Sequence, residues 1–160
     1  MKLAELSFET AADRIGEEIA VTDWFEVKQP DINAFADVTR DHNWLHVDPE
    51  RATRDGPAGG PIAHGFFTLS MLSYFAYETE LWPEGTAYGM NYGLNKVRFI
   101  APMPIGKRVR MRFVLKGFEP HSSGGFLMTN ECTAEVEGQA RPAMVAEWLG
   151  IFFPKESDAA

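Results

Sequence analysis

The densest group of chemically capable side chains falls between residues 41 and 48, where Asp41, His42, Asn43, His46 and Asp48 share the stretch DHNWLHVD. Asp41 and His46 lie five positions apart in backbone of no clean period, so both can address one small volume. A carboxylate and an imidazole facing a single water can remove one proton and supply another. Their ordinary pKa values bracket the range needed at neutral pH. The same residues also fit a polar surface loop in which Asp41 caps a turn. A third reading is a metal site from Asp41, His42, His46 and Asp48. Spacing of four suits two histidines on one helix face, but Trp44 and Pro49 speak against a helix there. No third histidine or cysteine lies near in sequence to complete a usual ligand set.

Three other groups are candidates. The segment AHG at 63–65 places Gly65 where a long apolar helix begins. Glycine admits close approach, and free N–H groups at a helix start can hold a carbonyl oxygen that gains negative charge. A tight helix start is the plainer reading, with His64 as a packing or capping residue and Ser73 as a buried hydroxyl bonded to the preceding turn. Lys107, Arg108, Arg110 and Arg112, with Lys96 and Arg98 upstream, suit either phosphates or a solvated strand face. Cys132 has no histidine beside it in sequence and reads as a packing residue.

These side chains need a frame. Gly65 to Leu81 contains no proline and no internal glycine, and its apolar residues Phe66, Phe67, Leu69, Met71, Leu72, Phe75, Ala76 and Leu81 cover most of a helical wheel. Such a helix is buried, and at about 25 Å it crosses a small domain without reaching the length of a membrane span. Before it, residues 3–19 suggest a weak helix, VTDWFEV (21–27) a strand, PDINAFADVT (30–39) a short helix, 40–48 a loop and 49–54 one or two helical turns. After it, strand patterns fall at 86–100, 107–119, 124–138 and 142–153, joined by turn-like connectors that suit an antiparallel meander. One curled sheet around one helix is the simplest α+β arrangement.

A chain of 160 residues, 45% apolar and 24% charged, suits a single soluble domain over 1–160, with a frayed tail at 155–160. The net charge of −8 argues against nucleic acid or an anionic membrane as partner. No apolar leader opens the chain, and its lone cysteine fits a reducing compartment, so a cytoplasmic location is expected.

The stretch FADVTRDHNWLH followed by VDPERA resembles the hydratase motif of the MaoC-like (R)-specific enoyl-CoA hydratases. Phe35, Val38, Thr39, Asp41, Asn43, Leu45, His46 and Ala52 follow that pattern in order and spacing. Arg40 replaces a glycine usual in the family, and Trp44 replaces a proline. The Trp44 form, with TDWFEV, GPIAHGFFTLSML and NYGLNKVRF, looks like the nodulation-N branch of the superfamily. The resemblance covers roughly residues 15–153. It implies a hot-dog fold, a homodimer and reversible hydration of trans-2-enoyl-CoA without metal or redox cofactor. Position by position, it implies Asp41 and His46 as the catalytic pair and Gly65 as the N–H on the thioester carbonyl. Asn43 and Ser73 become supporting residues, and the acyl chain is expected along the helix among Phe66, Phe67 and Leu69. CoA phosphates are expected on some of Lys96, Arg98, Lys107, Arg108 and Arg110. A hot-dog thioesterase and a non-catalytic acyl-CoA or lipid-signal binding protein are the competing readings. Thioesterases of this fold generally lack the paired Asp and His at this spacing.

Overall fold

The alternation Val109, Met111, Phe113, Leu115 becomes the buried face of β4 (Arg108–Pro120), each of these side chains at most 2% exposed. β5 (Phe126–Val136) and much of β6 (Met144–Pro154) follow the same two-residue logic, whereas β3 (Thr86–Phe99) has no buried face. The computed structural model describes residues 5–156. With β1 (Glu18–Val21) and β2 (Phe25–Glu26) the strands form one antiparallel six-stranded sheet, ordered β1-β4-β5-β6-β3, with β2 also on β4. The helices are α1 (Gln29–Thr39), α2 (Trp44–Val47), α3 (Pro49–Asp55) and the central α4 (Gly65–Thr79). Phe67, Leu72, Phe75 and Ala76 of α4 share one core with Met111, Phe113, Met128, Cys132 and Met144 of the sheet. This is the expected α+β hot-dog arrangement, a curled antiparallel sheet around a central helix. Each large side chain fully buried there stabilises the fold by about 1.5–3 kcal/mol.

Several expectations change. Only β4, β5 and β6 form a meander; β3 pairs with β6 instead of β4. Its connector to β4 carries Pro102 and Pro104 and pairs with the segment before α4 (Ile62 opposite Pro104), so it is a crossover and not a hairpin turn. Residues 5–17 hold only one 3-10 turn, Ala11–Arg14, and no α-helix; the part of that expectation on residues 3 and 4 lies outside the described residues. The strand expected at 21–27 is split, because Thr22 turns its hydroxyl to the Met111 N–H and its own N–H to the Met111 carbonyl. α4 is not buried all round. Phe66 and Tyr77 are 69% and 73% exposed, so one flank of the helix faces outward. α4 stops at Thr79, where Glu80 takes a left-handed conformation. Lys155 is still tied to Gly85 by its N–H, while the rest of the expected frayed tail, 157–160, lies outside the described residues.

Candidate active site

α1 begins with Pro30 in its first turn and Asp31 accepting from the Lys28 N–H at 3.2 Å. It ends at Arg40, which caps it in the left-handed region, φ 64°. Glycine is the residue that tolerates this conformation freely, which accounts for the family glycine that Arg40 replaces. Two hydrogen bonds shape the next turn. Asn43 N–H donates to Asp41 Oδ1 at 3.3 Å, and Asn43 Oδ1 accepts from Leu45 N–H at 3.0 Å. Asn43 therefore caps α2, the helical turn that presents His46, in a stretch expected to be irregular. Trp44 is the first residue of that turn, a position where proline also fits.

Two ties place this turn over the start of α4. Ile62 donates its N–H to the Leu45 carbonyl at 3.0 Å, and its own carbonyl accepts from His46 Nδ1 at 2.7 Å. Gln29, on α1, donates from Nε2 to the His46 carbonyl at 2.7 Å. With Nδ1 carrying the proton toward Ile62, His46 keeps Nε2 as an open lone pair.

Asp41, His46 and His64 converge, with ligand-type atoms within 4.8 Å of one another. His64 is 3% exposed and donates from Nε2 to the Asp41 carbonyl at 2.9 Å; the same nitrogen lies 4.0 Å from Asp41 Oδ2. The His46 and His64 rings stack, centroids 3.8 Å apart and planes 30° from parallel. Asp41 is open to solvent, its side chain 56% exposed. Gly65 follows His64 directly as the first residue of α4, where N–H groups have no partner within the helix. A Cβ on Gly65 would stand 3.0 Å from the Phe99 ring, so a side chain there would push β3 away from the helix start. Carboxylate and imidazole thus converge beside the helix N-terminus, an arrangement that suits general acid–base work beside a developing oxyanion.

The other expected residues are spread out. His42 turns away and bonds Asp37 at 2.9 Å, and Asp48 caps α3 by accepting from the Arg51 N–H at 3.0 Å, so neither joins the expected four-residue metal set. Asp41, His46 and His64 are the one grouping close enough to hold a metal among the described residues. Ser73 lies farther along α4, on the wall of two cavities of about 390 and 310 Å³ between α4 and strands β3 and β6. Phe67 is buried and packs edge-on against Phe35, while Phe66 stands outside, 6.0 Å from the Phe99 ring. Arg108 is paired with Glu137, and Arg110 with Glu135 at 2.7 Å. Lys96 and Arg98 lie exposed on β3. Cys132 is fully buried, and burial pushes its thiol pKa up, away from nucleophilic use. Sequence reasoning missed the place of His64. Its adjacency to Gly65 was the available signal, but only the return of the chain over α4 sets it beneath His46.

A curled antiparallel sheet around one helix, with Asp41 and His46 set over that helix's N-terminus, defines a hot-dog protein. The chain belongs to the MaoC like domain family, whose model matches residues 10–136. It is 44% identical over 147 residues to nodulation protein N of Rhizobium leguminosarum bv. viciae, covering 92% of this chain and 91% of that protein. It is 47% identical over 144 residues to 3-hydroxyacyl-thioester dehydratase Z of Mycobacterium tuberculosis, covering 88% and 94%. The solved (R)-hydratase from A. caviae involved in PHA biosynthesis superposes with a TM-score of 0.68 at 22% identity, covering 85% of this chain and 94% of that one. At that identity the likeness concerns the fold.

Proposed function

We propose that this chain is a hydro-lyase that adds water reversibly to a trans-2-enoyl-CoA, forming the (R)-3-hydroxyacyl thioester. The observation that carries this reading is the convergence of Asp41 and His46 over the start of α4. Water sits between the two side chains. His46 Nε2, left as a lone pair by the Nδ1–H bond to Ile62, takes a proton as the oxygen attacks the β-carbon. The resulting imidazolium returns a proton to the α-carbon on the same face, so the addition is balanced. The Asp41 carboxylate holds the water and offsets the imidazolium charge. Gly65 N–H donates a hydrogen bond to the thioester oxygen as negative charge grows on it, an interaction strongest in the transition state. The acyl chain runs along α4 into the cavities lined by Leu69, Ser73 and Trp148. The thioester activates its own double bond, so the proposal requires no metal or redox group.

Asp41→Asn and His46→Gln are close in shape to the native residues and should fold. Each should lower turnover of crotonyl-CoA by about 10²–10⁴-fold, the usual contribution of a general acid or base. Acting on one water, they should cost far less together than the product of the single losses. His42→Gln should cost little, since its ring is engaged by Asp37. Full activity in Asp41→Asn, or tight acyl-CoA binding with no loss of the enoyl absorbance in wild type, would remove the proposal in favour of a binding protein.

We infer also that two copies pair through β3, an edge strand whose Tyr88, Met90, Tyr92 and Leu94 are 42–57% exposed. Edge strands with apolar side chains are natural templates for pairing, and a symmetric partner closes them.

A further inference from the structure

We propose that His64 is a positioning residue for the catalytic pair: its Nε2–H clamps the Asp41 carbonyl while its ring forms the floor on which His46 lies. The inference rests on the proposed roles of Asp41 and His46 and goes beyond them to what holds the two in register. Three observations carry it.

First, the backbone around Asp41 does not hold itself. Arg40 sits at φ 64°, a conformation that costs a residue with a side chain about 1–2 kcal/mol. Asp41 is largely exposed, and the hydrogen bond its carboxylate accepts from Asn43 is long, 3.3 Å. The bond from His64 at 2.9 Å is the shorter tie to this residue, and it comes from a segment 23 positions away. Second, His64 is a costly residue for the slot it fills. Its ring is buried between Phe35, at 5.1 Å, and His46, at 3.8 Å. Its Nδ1 has no hydrogen-bond partner among the described residues. A buried polar atom left unpaired costs about 1–3 kcal/mol, so a flat apolar ring would suit that environment better if packing were all that mattered. What an apolar ring lacks is the single donor on Nε2. Third, the two faces of the problem meet in one side chain. His46 is fixed at one ring edge by Ile62 and on one ring face by His64, while Asp41 is fixed by the other function of the same imidazole. One residue therefore sets the separation of carboxylate and imidazole.

The test is His64→Phe, which keeps a flat ring in the stack and removes only the donor, beside His64→Gln, which keeps a donor and removes the ring. Crotonyl-CoA hydration and thermal unfolding are measured on both. Misplacing a reacting group by about 1 Å costs up to 10²-fold. His64→Phe should therefore lose about 10–100-fold in kcat with KM within about twofold while remaining fully folded at the assay temperature, and His64→Gln should recover part of the loss. Placed on top of Asp41→Asn, His64→Phe should cost less than about twofold more, because it acts through Asp41. Wild-type kcat per folded molecule in His64→Phe, or a full multiplicative loss in the Asp41→Asn background, overturns the assignment. Should His64→Phe not fold, imidazole nitrogen chemical shifts of the wild-type protein decide. A slowly exchanging Nε2–H with bare Nδ1 supports the clamp, and a proton on Nδ1 refutes it. If Asp41→Asn and His46→Gln are themselves fully active, the reading of the pair has failed, and this result is distinct from failure of His64 alone.

Discussion

β4 and β3 carry the same kind of message and meet opposite fates. Val109, Met111, Phe113 and Leu115 alternate along β4 and are at most 2% exposed. Tyr88, Met90, Tyr92 and Leu94 alternate along β3 and are 42–57% exposed. β4 has β5 on one side, β1 and β2 on the other, and shares its core with α4. β3 has only β6. Alternation decides which residues share a face only while the register is unbroken, and shifts at Asn91/Gly93 and Leu94/Lys96 break it in β3; a neighbour then decides whether a face is buried. The outer flank of α4, with Phe66 and Tyr77, belongs with β3 as surface that the single chain leaves uncovered.

The comparison breaks most visibly in the finished half. Phe113→Ala should cost about 3–5 kcal/mol, a large share of the 5–15 kcal/mol that keeps a domain folded. Chemical denaturation should show this loss at every protein concentration. A melting temperature unchanged in that variant would mean that β4 is not the centre of the core. The open half should respond differently. Met90→Asp with Tyr92→Asp should leave the monomer folded and raise the dimer dissociation constant at least about tenfold, since each lost aromatic or apolar contact at an interface centre is worth about 1–2 kcal/mol or more. Light scattering reads this directly, and a wild-type monomer at micromolar concentration would end the pairing proposal.

Smaller effects separate the charges. Lys96→Glu with Arg98→Glu should raise KM for acyl-CoA several-fold with little change in kcat, as expected for binding that is equal in ground and transition states. Arg110→Gln should do less, because Glu135 already occupies its guanidinium. An equal rise in KM from both would place the phosphates on the outer sheet face instead of β3. The smallest effect concerns Glu137. The hydrogen bond from Arg108 holds its carboxyl below the ordinary value of 4.5. A carboxyl with a depressed folded pKa adds stability above its unfolded pKa and loses it as pH falls through the folded value. Wild type should melt slightly higher than Arg108→Gln at pH 7, and the two should converge as pH falls below the depressed folded value of Glu137. The pair lies at the surface with both side chains open to solvent, so the difference should also shrink in salt.

The site was legible in unequal parts. Asp41 and His46 stood out because two chemically complementary side chains fell close together in sequence. Gly65 stood out because a glycine preceded an unbroken apolar helix. His64 did not, since a lone histidine before a helix has a plain packing explanation. The helical turn at Trp44–Val47 was hidden too. It is made by the Asn43 cap and by ties to Gln29 and Ile62, with no apolar period of its own to announce it.

By itself the sequence determined the strands after α4 to within a few residues, the central helix, the family and the nearness of Asp41 to His46. Those features depend on local propensity, period and motif, all of which are written in neighbouring residues. Only the tertiary structure decided that β3 leaves the meander to pair with β6, that one flank of α4 stays open, that His42 turns to Asp37 and that His64 slides beneath His46. Each of these depends on which distant backbone groups remain free to accept a hydrogen bond and which apolar faces find a partner. Neither quantity is a property of any short window of chain.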